Sequence, residues 1–139
     1  MKISARNQIK ATVASMTTGM VNERLALLTS KGAKLSSVIT SESAKEMSLK
    51  EGDTVTALFK ATHVMLSTAH IDGISARNQL EGTIENVVKG MVSTEITLVT
   101  EGGEQIVSII TNEAAEELGL ESGQKAVAII KSSDIMVAK

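Results

Sequence analysis

A six-residue phrase occurs twice in this chain: Ile3-Ser4-Ala5-Arg6-Asn7-Gln8 returns unchanged as Ile74-Ser75-Ala76-Arg77-Asn78-Gln79. A shift of 71 positions, the distance from Ile3 to Ile74, also aligns Gly19-Met20-Val21 with Gly90-Met91-Val92, Thr40 with Thr111, Glu42 with Glu113, Gly52 with Gly123 and Lys60 with Lys131. No gap is required, and apolar pairs that differ commonly exchange one aliphatic residue for another, as in Leu25/Ile96, Val38/Ile109 and Leu58/Ile129. The chain is a duplicated module. The repeat divides it into residues 1–67 and 74–139, joined by 68–73. Modules of about 65 residues lie near the lower limit for independent folding, so each half needs its twin or another subunit. A join of about six residues is too short for a free tether and holds the two modules in a fixed relation.

Within the first module, Ile9, Ala11 and Val13 alternate with polar neighbours, and Val21, Glu23, Leu25 and Leu27 do the same after a turn at Gly19. A third alternating run, Leu35 to Ile39, follows the Lys31-Gly32 turn. The period then changes. Thr40 is placed to cap a short helix containing Glu42, Ala44, Lys45, Glu46 and Met47. Val55, Ala57 and Phe59 make a fourth strand, and Val64-Met65-Leu66 a short fifth. The second module repeats this order, with its helix over Asn112 to Leu118. Five short strands with a helix between the third and fourth predict a mainly all-β chain: two tandem OB-like five-stranded Greek-key barrels.

Composition narrows the function. Phe59 is the sole aromatic residue and the net charge is −2, so the chain offers neither stacking platforms nor a broad basic surface for nucleic acid or an anionic membrane. Cysteine is absent, and neither His63 nor His70 recurs in the other module, where Asp134 stands in place of His63. A catalytic dyad or a protein-bound metal is therefore not expected, and no Gly-x-Ser-x-Gly or phosphate-loop motif is present. No enzyme activity is expected. With no apolar leader and no span of about 20 apolar residues, the expected location is the cytoplasm.

What remains is a set of paired donors. Two of the three arginines, Arg6 and Arg77, sit in the repeated phrase. Ser4 and Arg6, like Ser75 and Arg77, project from one face of an extended segment and offer a hydroxyl and a guanidinium fork to one ligand; the alternative is an arginine paired with a carboxylate across a domain interface. Thr40 and Ser43 flank a helix start, as do Thr111 and Ala114, where unpaired N–H groups suit an oxyanion. Ordinary N-capping is the competing explanation. Lys60 and Lys131 end matching strands and supply a second positive charge, or are simply solvated. The turn over Gly19 to Asn22 is suited either to a backbone donor nest or to plain hairpin geometry.

Ser-Ala-Arg-Asn-Gln, Gly-Met-Val-Asn, Val-Ile-Thr-Ser-Glu-Ser-Ala and Phe-Lys-Ala together resemble the molbindin (Mop) family of molybdate-binding proteins in its duplicated form, over essentially the whole chain. The resemblance implies OB-like domains assembled as a homotrimer of two-domain chains, with oxyanion sites between neighbouring domains. By that analogy the ligands are Ser4, Arg6, Thr40, Ser43, Lys60 and Ala61, and, in the second module, Ser75, Arg77, Thr111, Lys131 and Ser132. A further axial site would use Met20, Val21 and Asn22, and its counterpart Met91, Val92 and Ser93. Ser93 departs from the family's usual Asn there, and Thr62-His63 replaces a familiar Pro-Trp. The implied ligand is molybdate, with tungstate as its near-isostere, and no catalytic cofactor. The implied role is storage or homeostasis of molybdenum, the alternative being a sensing module that acts on a partner protein or nucleic acid.

Overall fold

A computed structural model describes residues 1–139. The first module forms strands β1 (Asn7–Thr18), β2 (Asn22–Thr29) and β3 (Lys34–Thr40), helix α1 (Ser41–Glu46), β4 (Thr54–Phe59), a single 3-10 turn over Ala61–His63, and β5 (Met65–Ser67). The second repeats the order as β6 (Asn78–Lys89), β7 (Ser93–Thr100), β8 (Gln105–Thr111), α2 (Asn112–Leu118), β9 (Lys125–Ile130), a 3-10 turn over Ser132–Asp134, and β10 (Met136–Ala138). The two curled five-stranded sheets are the OB-like architecture expected from the alternating pattern. Asn7, Ile9, Ala11 and Val13 point inward along β1 until a bulge between Val13 and Ser15 shifts the register. The bulge bends the strand. The first half of β1 pairs with β4 and the second half with β2, which curls the sheet. The same irregularity recurs between Ile84 and Ile84's near neighbour Asn86 in β6.

Periodicity did not reveal that the modules exchange their last strands. The sheets run β3-β2-β1-β4-β10 and β8-β7-β6-β9-β5, so β10 of the second module completes the first sheet and β5 of the first completes the second. Met136, Val137 and Ala138 pair with Leu58, Ala57 and Thr56, and Met65, Leu66 and Ser67 pair with Ile129, Ala128 and Val127. Two buried hydroxyls fasten the crossovers: Ser37 Oγ donates to the Ile135 carbonyl at 2.6 Å, and Ser108 Oγ donates to the Val64 carbonyl at 2.6 Å. Val64 and Ile135 are themselves buried. The boundaries 1–67 and 74–139 follow the sequence repeat, whereas each hydrogen-bonded sheet draws on both segments. One continuous core of 20 buried residues, including Phe59, Leu25 and Leu27 with Ile84, Ile96 and Leu98, spans the two modules. The expectation that each half needs its twin thus has a covalent form within one chain.

Beyond β10, Lys139 Nζ lies 3.1 Å from Asp53 Oδ2 and donates to the Ser48 carbonyl, tying the C-terminus to the first module. The Lys50 backbone N–H and Lys139 hold the Asp53 carboxyl below the usual carboxylate range. At the opposite end of the interface the β2–β3 and β7–β8 turns touch. A Cβ on Gly102 would lie 2.3 Å from the Lys31 carbonyl oxygen, so only glycine permits this approach.

Candidate functional site

The repeated hexapeptide is first of all a clasp between modules. Asn7 Nδ2 donates to the Val107 carbonyl at 2.9 Å, and the Val107 N–H donates to Asn7 Oδ1 at 2.8 Å. Asn78 does the same to Ser36, accepting from its N–H at 2.7 Å and donating to its carbonyl at 2.9 Å. Each buried asparagine side chain therefore imitates a strand partner for the third strand of the other module. The sequence reading singled out the serine and arginine of this phrase and missed the asparagine. Its signal was present, since a polar residue repeated immediately before an alternating apolar run is a natural inward-facing position.

The clasp fixes where the arginines go. Arg6 crosses to β7 and forks Glu95, with Nη1 3.2 Å from Oε2 and Nη2 3.1 Å from Oε1. The hydrogen bond and the charge of Glu95 raise the Arg6 pKa above its ordinary value. This is the carboxylate pairing across a module interface that the sequence left open. It is exposed, so it contributes at most about 1 kcal/mol and leaves the guanidinium accessible. Arg77 has no carboxylate partner. In register, Asn7 opposes Phe59 and Asn78 opposes Ile130, so Arg6 and Arg77 leave their sheets beside Lys60 and Lys131.

The 3-10 turns follow those lysines. Ala61 and Ser132 are both buried at their starts. Ser132 Oγ has no hydrogen-bond partner although the residue is only 7% exposed. An unpaired buried hydroxyl costs about 1–3 kcal/mol, so its retention beside Lys131 marks a position built for a polar group. His63 Nδ1 and Asp134 Oδ1, at matching positions in the two 3-10 turns, meet at 3.8 Å. No cluster of three or more metal-ligating side chains exists.

At the far end of β1 a second group assembles. Thr40 Oγ1 caps α1 by accepting the Ser43 N–H at 3.1 Å and donates its own proton to Ser43 Oγ at 2.8 Å. That leaves the Ser43 hydroxyl proton free to point outward. In α2, Thr111 Oγ1 likewise accepts the Ala114 N–H at 3.1 Å, but Ala114 offers no oxygen, so the Thr111 proton is the free one. Each helix start retains one hydroxyl donor despite the Ser-to-Ala difference. The caps also bind the neighbouring turns: Ser41 donates to the carbonyls of Val21 and Gly19, and Asn112 to those of Val92 and Gly90. Met20 and Met91 at the tips are fully exposed, with Val21 and Val92 at 72% and 76%. Asn22 and Ser93 open the following strands.

The candidate donors therefore fall in two places in each module: Arg6, Lys60 and Ala61 (or Arg77, Lys131 and Ser132), with Ser4 (or Ser75) two residues before the arginine, at the start of the long strand, and Thr40 with Ser43 (or Thr111) beside the Met20–Asn22 (or Met91–Ser93) turn at its end. Along one module's first strand they are separated by 12 residues, so a module does not close a site from its own two clusters. The depression beside Arg6 and the one beside Thr111 are each lined by members of one cluster alone.

Comparison with known proteins gives this arrangement a context. The TOBE domain model matches residues 3–66 and 74–137. The molybdenum-pterin-binding protein MopA of Rhodobacter capsulatus is 40% identical over 139 residues, covering 99% of this chain and 52% of its own length. The molybdenum transport protein ModE of Herbaspirillum seropedicae is 34% identical over 139 residues, again with 52% of its length covered. The chain thus spans about half the length of the curated relatives it matches. A crystal structure of the cytoplasmic molybdate-binding protein ModG with molybdate bound superposes with a TM-score of 0.94 at 42% identity, and the match covers 99% of each chain. These matches bear out the tandem resemblance read from the repeated motifs.

Proposed function

Because the chain belongs to the TOBE domain family and carries two copies of the domain in tandem, we propose that it binds molybdate, with tungstate as a second ligand, and stores or buffers the ion without transforming it. The observation that carries this reading is the end-to-end match to the molybdate-bound ModG structure. The donor set supports it. Each copy offers a guanidinium, an ammonium and hydroxyls, and in the second copy one of those hydroxyls, Ser132 Oγ, is buried without a partner.

Molybdate near neutral pH is a bare tetrahedral dianion, so a pocket of donors satisfies its oxygens with no acceptor required. Phosphate carries a proton over much of that range and would leave its O–H facing donors. Sulfate is also bare, and its smaller size is the basis for rejecting it. Five to seven hydrogen bonds, the charged ones contributing roughly 1.5–3 kcal/mol each before ordering costs, support micromolar or tighter affinity, about −8 kcal/mol or better.

In this reading the sites close between modules of neighbouring chains in a homotrimer. Ser4, Arg6, Lys60 and Ala61 of one module would meet Thr40 and Ser43, or Thr111, of another, and Ser75, Arg77, Lys131 and Ser132 would act in the same way. The fully exposed Met20 and Met91 tips, flanked by Val21 and Val92, would be covered near the symmetry axis, where Asn22 and Ser93 offer the axial donors. A cytoplasmic location is part of this proposal and is supported by the description of ModG as a cytoplasmic protein.

Titrating the protein with molybdate, tungstate, sulfate and phosphate in parallel calorimetry tests the assignment. Strong, stoichiometric heats are expected for the first two ions and at least about tenfold weaker binding for the others, a gap of roughly 1.4 kcal/mol. Equal binding of all four would refute the selectivity. The 34% identity with ModE favours a second reading, in which the loaded protein acts on a partner protein or nucleic acid. Molybdate-dependent DNA binding at moderate salt would promote it.

A further inference from the structure

The charge reverses between the two copies at four aligned positions, Lys10/Glu81, Arg24/Glu95, Lys45/Glu116 and Lys50/Glu121, and of these Arg24/Glu95 lies where the arginines of the repeated phrase arrive. The 71-residue shift that relates Arg6 to Arg77 also relates Arg24 to Glu95. Asn7 and Asn78 clasp equivalent residues of the opposite third strands, Val107 and Ser36, so each arginine is delivered to the equivalent place on the opposite sheet. Arg6 finds Glu95 there. At the equivalent place Arg77 has Arg24, and the two residues line one depression of about 240 Å³. Neither makes an ion pair.

The surroundings change with the charge. Thr17 lies opposite Arg24 on the neighbouring strand, and Ser15 and Ser36 flank Ala26 in the next row, so three hydroxyl residues line the depression with the two arginines. Ser36 Oγ is buried and has no hydrogen-bond partner. At the matching positions of the second sheet, Thr17 becomes Val88, Ser36 becomes Val107 and Ser15 becomes Asn86, while Ala26 becomes Thr97. The residues beside Arg24, Thr17 and Ser36, thus carry hydroxyls where those beside Glu95, Val88 and Val107, carry none. Two like charges held together with unused hydroxyl donors are complementary to a small anion of two charges, because guanidinium forks match the oxygen edges of such an ion.

We propose that Arg24 and Arg77, with Ser15, Thr17 and Ser36, form an anion site contained within a single chain that takes one small divalent oxyanion. The site shares Arg77 with the second-module donors assigned above, and differs from that assignment in using Arg24, Ser15, Thr17 and Ser36 and in needing no neighbouring chain. It does not depend on molybdate being the protein's principal ligand.

The test is a charge swap read with inorganic sulfate. Thermal unfolding of the full chain is followed against sulfate concentration, with sodium chloride holding ionic strength constant. The sulfate-induced rise in midpoint should fall by more than half in Arg24→Glu, which gives Arg77 the partner Arg6 already has, and in Arg24→Gln, which removes the charge without adding another. Glu95→Arg should increase the rise. In sulfate-free buffer Arg24→Glu should unfold at a higher temperature than the parent. A sulfate response unchanged in both Arg24 variants overturns the proposal. Molybdate titrated into the same proteins reports on the proposed function separately: absence of molybdate binding from the parent chain would refute that reading while a difference in sulfate response still supported this site.

Discussion

Replacing both Arg6 and Arg77 with alanine should abolish most molybdate uptake while leaving the fold intact. Each arginine is the only permanently charged planar donor in its copy of the hexapeptide, and a charge-assisted contact is worth roughly 1.5–3 kcal/mol. Affinity at each site should therefore fall by about 10- to 150-fold, since about 1.4 kcal/mol corresponds to a factor of ten. Stability should change little. The Arg6–Glu95 pair is exposed on both sides, and exposed pairs contribute about 0–1 kcal/mol, while the buried clasp is made by Asn7 and Asn78. Calorimetric titration checks the first expectation and thermal unfolding the second. Undiminished binding in the double variant would remove the arginines from the site.

The largest expected effect on stability comes from deleting residues 135–139. The deletion removes buried Ile135 and Val137, the three β10–β4 pairs and the Lys139–Asp53 contact. Two buried aliphatic side chains are worth roughly 3–6 kcal/mol together, set against a total stability of about 5–15 kcal/mol. The position of the damage is more informative than its size. Strand exchange puts the new unpaired edge on β4, so amides of Thr54–Phe59 in the first module should lose hydrogen-exchange protection while β9 remains paired with β5. Loss of protection at Lys125–Ile130 with β4 unaffected would contradict the exchange.

The order of elements was legible in the sequence because each strand buries one face: Ile9, Ala11 and Val13, or Leu25 and Leu27, mark the inward positions in simple alternation. Thr40 and Thr111 announced their helices because a capping hydroxyl is a local device. Strand exchange was not legible, because Val64-Met65-Leu66 satisfies the same alternation whether it returns to its own sheet or crosses to the other. The donors of the site could be listed from their duplication, but not their partners. That Arg6 meets Glu95 while Arg77 shares a depression with Arg24 depends on asparagine clasps formed between residues 42 and 100 positions apart. A comparison of the two copies position by position, extended from identities to reversals of charge, would have drawn attention to residues 24 and 95.

Anomalous diffraction from crystals soaked in molybdate would locate the ion directly. Heavy-atom peaks are expected at the junctions between modules, within hydrogen-bonding reach of Arg6 and Lys60 and of Arg77 and Lys131. Absence of a peak at every such junction would contradict the assignment.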